Sequence, residues 1–123
     1  MNALSQARRA YSAASAPTRT PKNIEYEAVA RVTARLQEAA RKGPTGFPAL
    51  AEAVHDNIRL WTLFAADVAG NGNGLPKELR ARLFYLAEFT RAHSSKVLSQ
   101  QASVTPLLEV NTAVLRGLRG EVR

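Results

Sequence analysis

Apolar positions recur along most of this chain at steps of three and four residues, the spacing that places side chains on one face of an α-helix. From Lys22 to Lys42, the residues Ile24, Ala28, Val32, Leu36 and Ala39 or Ala40 share such a face, and Glu27 stands four residues before Arg31, where the two can pair. The segment predicts an amphipathic helix of about five turns. Lys42, Gly43 and Pro44 close it with a cation in the last turn, a glycine just past the end and a proline beyond. The next segment is the most apolar: Phe47, Leu50, Val54, Ile58, Trp61, Ala65 and Val68 make a continuous stripe, widened by Leu60, Leu63 and Phe64. So wide a stripe predicts a central helix. It ends where Gly70, Asn71, Gly72, Asn73 and Gly74 tolerate backbone angles that forbid further helix.

Pro76 suits the first turn of another helix, which needs no backbone N–H there, and Leu79, Leu83, Leu86, Phe89 or Thr90, His93 and Val97 supply its apolar face as far as about Ser99. After a polar break, Thr105 is the expected N-cap, with Pro106 at the first helical position. Leu107 or Leu108, Asn111, Val114 or Leu115, and Leu118 then line one side of a last helix, frayed by Gly117 and Gly120. At the other end, Leu4, Ala7, Ala10 or Tyr11, and Ala14 predict a short alanine-rich helix over residues 2–15, followed by a Pro/Ser/Thr hinge. No segment alternates with period two and no repeat of 20–50 residues is visible. The expected fold is all-α: a small helical bundle of about five helices, with residues 1–21 as a mobile N-terminal helical arm and hinge and residues 22–123 as the bundle.

A length of 123 residues suits one domain, and 46% hydrophobic against 22% charged residues calls for a packed core. The absence of cysteine removes disulfides, thiolate metal sites and thiol nucleophiles. The N-terminal residues lack the apolar run of a secretory signal, and no stretch approaches the roughly 20 apolar residues of a membrane span. A cytoplasmic protein without membrane contact is expected. The net charge of +7 is unevenly spread: Arg8, Arg9, Arg19 and Lys22 stand in an acid-free N-terminus, and basic residues outnumber acids between residues 76 and 101. The pattern is a basic arm and one basic helix, without the interleaved arginines and aromatics of a nucleic-acid platform.

Candidate chemistry is sparse. His55 and His93 lie on different predicted helices with no carboxylate at ligand spacing, so no metal site is expected. His55 beside Asp56 reads as a solvated surface pair, and His93 as a partly buried, hydrogen-bonded residue. Ser94 and His93 are adjacent on a helix and point about 100° apart, so they cannot form a nucleophile–base pair. No catalytic residues, cofactor or small-molecule substrate are expected, and the chain reads as a non-enzyme. The glycine-rich turn lacks the strand and the Lys-Ser/Thr of a phosphate loop. Trp61 could stack a base, but a lone tryptophan on the most apolar helix reads as core. Asn111 on an apolar face must be hydrogen-bonded, to a loop backbone or to a partner.

These segments, in their order, resemble the flagellar biosynthesis regulatory protein FlaF family of α-proteobacteria. The resemblance rests on Ala10-Tyr11, Glu25, Asn57-Ile58-Arg59-Leu60-Trp61, Asp67, Gly72-Asn73-Gly74-Leu75-Pro76, Leu79-Arg80, His93-Ser94, and Pro106-Leu107-Leu108-Glu109-Val110-Asn111. It implies a role in flagellin production, acting after transcription on flagellin synthesis or secretion in counterpoint to the regulator FlbT. An export chaperone for flagellin would hold a terminal flagellin helix in an apolar groove bordered by the last three helices. Tyr11, Trp61, Leu83, Leu107, Leu108 and Asn111 are the expected contacts, with Arg59 and Arg80 setting register. The alternatives are a regulator that acts on flagellin mRNA directly, and a scaffold that binds an FlbT-type partner alone.

Overall fold

The computed structural model describes residues 21–69 and 76–118. They form four α-helices: α1 (Pro21–Arg41), α2 (Phe47–Ala69), α3 (Lys77–Leu98) and α4 (Thr105–Leu118), with a single 3-10 turn at Gly43–Gly46 between α1 and α2. Among the described residues there is no strand. The helix expected over residues 2–15 lies outside them, so the bundle itself has four helices where about five were expected for the whole chain. Around the bundle, α1 packs on α2, α2 on α3 and α1 on α4, while the fourth seam, between α3 and α4, is the most sparsely packed. The short connections make neighbours run antiparallel, and α2 and α4 face each other across the diagonal.

The helix ends follow from local chemistry. Gly43 takes φ +70°, the left-handed conformation that ends α1 and that side chains disfavour. Gly46 is buried, and a Cβ there would meet the Lys42 Cβ at 2.5 Å. α4 starts one residue earlier than expected. The Val104 carbonyl accepts from the N–H groups of Leu107 and Leu108 at 2.9 and 3.2 Å. The Ser103 hydroxyl oxygen, rather than Thr105, accepts at the entry, from the Thr105 N–H at 3.0 Å.

α2 buries Ala53, Val54, Asn57, Leu60, Trp61, Phe64 and Val68. Trp61 is 1% exposed and meets Phe64 edge-on, ring centroids 5.1 Å apart. Leu63 departs from the expected stripe and is 69% exposed, because two residues on from Trp61 is about 200° round the helix, opposite the core. α3 turns Leu79, Ala87, Thr90, Ser94 and Val97 inward, and the small side chains among them let α2 come close. α4 contributes Leu107, Asn111 and Val114. Glu27 and Arg31 are both exposed and do not pair; the ion pairs of α1 are Arg41 with Glu38, and Arg35 across to Asp56 on α2.

Candidate functional site

The densest polar chemistry sits at the centre of the bundle. Asn111 is fully buried, and its Oδ1 accepts from Trp61 Nε1 at 3.0 Å. Its Nδ2 donates to Thr33 Oγ1 at 3.1 Å and to Asn57 Oδ1 at 2.9 Å. One amide therefore ties α4 to α1 and, across the diagonal, to α2. The hydrogen bonds that the sequence demanded of Asn111 are met inside the core, by side chains rather than by a loop backbone. Asn57 Nδ2, Thr90 Oγ1 and Ser94 Oγ are also buried, without a hydrogen-bond partner. Asn57, Thr33 and Ser94 were not singled out by periodicity, since polar residues on an apolar stripe read as interruptions until their partners are seen.

The expected contact residues are not gathered on one surface. Tyr11 lies outside the described residues. Trp61, Leu107 and Asn111 are each at most 1% exposed; Leu107 and Asn111 are corrected from groove contacts to core, and Trp61 is a core residue that also lines the cleft between α2 and α3. Leu83 and Leu108 are half-buried and Arg59 is exposed. Arg80 is half-buried, with its Nε enclosed and unpartnered. Arg59 pairs with Asp56, which also takes Arg35; this replaces the expected pairing of Asp56 with His55. His93 is half-buried, as expected. Its Nε2 donates to the Ser103 carbonyl at 2.8 Å, which turns that side of α3 towards the entry of α4, and its ring stacks on Phe89 with centroids 5.5 Å apart.

Among the described residues, three surface features are notable. A groove of about 550 Å³ follows the junction of α1 and α4 beside Leu108. A smaller cleft of about 190 Å³ lies between α2 and α3, lined by Ile58, Thr62, Ala65, Ala87, Glu88 and Arg91 among others. The third is the α3–α4 seam. There, Phe89 and Leu86 follow His93 at helical steps within about 40° of it, and Tyr85, about 80° round α3 from His93, stands at the solvent edge beside them; Phe89 and Leu86 are half-buried and Tyr85 is 66% exposed. Sequence reasoning missed Tyr85, although its position off the apolar stripe of α3, six residues from Leu79, was readable as an aromatic committed to the surface. Among the described residues no three His, Asp or Glu side chains converge to hold a metal ion, and no helix is long and apolar enough to cross a membrane.

Fold and surface together define a small antiparallel four-helix bundle, cross-braced by a buried amide and left with apolar seams at its surface. Comparison with family models gives the narrower answer. The model for flagellar protein FlaF matches residues 7–118. The chain belongs to the FlaF family and is a flagellar protein. No curated protein and no solved structure matches it.

Proposed function

We propose that this protein is a non-enzymatic flagellin-binding export chaperone that acts in the cytoplasm and holds a terminal helix of flagellin along the α3–α4 seam. The observation that carries the reading is the apolar stripe of Leu86, Phe89 and exposed Tyr85 beside the least packed junction of the bundle. An amphipathic helix docks on such a surface through anchors at i, i+3, i+4 and i+7, and buried aromatics dominate the energy of such contacts. Half-buried Leu83 extends the stripe by a turn. Family membership supports flagellin as the occupant, because flagellin's terminal helices must stay unpaired until export.

Isothermal titration calorimetry with monomeric flagellin, intact and truncated at each end, tests the reading. Binding in the micromolar range or tighter, with a negative heat-capacity change and loss on one truncation, is expected. Tyr85→Asp, at an exposed position, leaves the fold intact and weakens binding by about tenfold or more, or ~1.4 kcal/mol. No heat from the folded protein with either end would overturn the proposal and leave an FlbT-type regulator or flagellin mRNA as the partner to examine.

A further inference from the structure

Of the four described helices, α4 is the least tied to the others. α2 packs against both α1 and α3, so those three make one continuous unit, whereas α4 leans on α1 and meets α3 only sparsely. The large apolar side chains it sinks into the core are Leu107 and Val114, with Val104 at its entry, and the centre of its buried face is an amide. Asn111 bonds to Trp61, Thr33 and Asn57. When α4 leaves, water replaces each of these bonds, so they fix the register of docking and add little to its strength. We propose that α4 is a hinged strap: it swings off the bundle as one unit about Gln100 while α1, α2 and α3 stay packed, and it bares the face of α1 and α2 that Asn111 braces. The inference does not depend on what the protein binds.

The connection between α3 and α4 supplies the hinge. Gln100 has φ +62° and is the one non-glycine residue with a positive φ among the described residues. Side chains disfavour that conformation. It closes α3 in the way a glycine commonly does, with the N–H groups of Gln100 and Gln101 donating back to the carbonyls of Val97 and Lys96 at 2.9 and 2.8 Å. The chain must reverse sharply there to enter docked α4 at Thr105, so docking holds Gln100 in its strained state and release of the helix relaxes it. On the α3 side, the bond from His93 Nε2 to the Ser103 carbonyl, at 2.8 Å, fastens the near end of the strap and breaks when it opens. Once undocked, a helix of 14 residues is marginal in water, so its amides exchange with solvent whenever the strap is open.

Native-state hydrogen exchange on the full-length chain tests the proposal. The amides of Val110, Asn111, Val114 and Leu115 are expected to share one protection factor, at least about tenfold below those of Leu60, Trp61 and Phe64. Low concentrations of urea change it weakly, where they change protection in α2 steeply, because the strap exposes less surface than global unfolding does. Leu79, in the first turn of α3, is buried and stays packed in the open state. Leu79→Ala therefore lowers protection in α2 by about thirtyfold or more and leaves that of α4 unchanged. Gln100→Gly raises protection in α4 and α2 by the same factor, about three- to tenfold, because strap opening and global unfolding both relax the strain it removes. Four results would each overturn the proposal: equal protection and urea response in α4 and α2; protection that falls residue by residue towards Leu118; a fall in α4 on Leu79→Ala that matches the fall in α2; or a rise confined to α2 on Gln100→Gly.

Discussion

Asn111→Leu probes the cross-brace directly, because leucine keeps the branching of asparagine at Cγ and removes every hydrogen bond it makes. Three buried partners are left behind: Trp61 Nε1, Thr33 Oγ1 and Asn57 Oδ1. The Thr33 hydroxyl can rotate towards a carbonyl of its own helix, so its loss is partly recovered. The indole N–H is a donor only and has no such recourse. Asn57 loses the one bond its side chain makes. Leaving a buried polar group unsatisfied costs about 1–3 kcal/mol, and the extra apolar atoms of leucine offset part of two such penalties. The expected destabilisation is about 2–4 kcal/mol, which lowers the Tm of a domain this size by roughly 8–16 °C. Urea unfolding followed by the fluorescence of Trp61, the only tryptophan, gives the free energy. A second measurement, followed by far-UV circular dichroism because the tryptophan is gone, isolates the pair: in a Trp61→Phe background, Asn111→Leu costs about 1–2 kcal/mol less, since the donor is already absent. A loss below about 0.5 kcal/mol, or strict additivity of the two substitutions, would refute the claim that this network holds α4 to the rest of the bundle.

Other perturbations follow from single contacts. Gly46→Ala forces its Cβ against the Lys42 Cβ, and thermal unfolding is expected to show a loss of about 1–3 kcal/mol. Gly43→Ala, at φ +70° with open space around it, costs about 1–2 kcal/mol through backbone strain alone, read from the same melts. Arg35→Ala removes an exposed partner from Asp56 while Arg59 remains; the unfolding free energy from urea melts falls by less than about 1 kcal/mol, and by less still in high salt. His93→Ala removes the bond to the Ser103 carbonyl, and hydrogen exchange at the entry of α4 is expected to quicken with little change in helix content.

The four described helices were legible in the sequence almost to the residue, because each is amphipathic and bounded by glycine, proline or a polar break. The expected closure of the first bundle helix at Lys42-Gly43-Pro44 coincides with the observed end of α1, and the stripe from Phe47 to Val68 with α2. What periodicity could not supply was the third dimension. It placed Leu63 with the stripe, whereas the helix turns that side chain to solvent. It offered Leu107 or Leu108 as alternatives, and packing decides that Leu107 enters the core while Leu108 borders the α1–α4 groove. Asn111 was recognised as needing a partner, but Thr33 and Asn57 lie 78 and 54 residues away, a separation that no local pattern encodes. The same difficulty displaced the contact set: Trp61 and Asn111 stood out because they are unusual on an apolar face, and that conspicuousness marked a structural brace.

The proposed chaperone role predicts which face of the bundle a flagellin helix would meet. A photo-crosslinking side chain placed at Tyr85, beside the α3–α4 seam, or at Leu63, on the solvent face of α2, distinguishes the faces with the fold undisturbed, since both positions are more than half exposed. The prediction is a crosslink from position 85 to a terminal segment of flagellin and none from position 63. Equal crosslinking from both positions, or none from position 85 while flagellin binds, would contradict it.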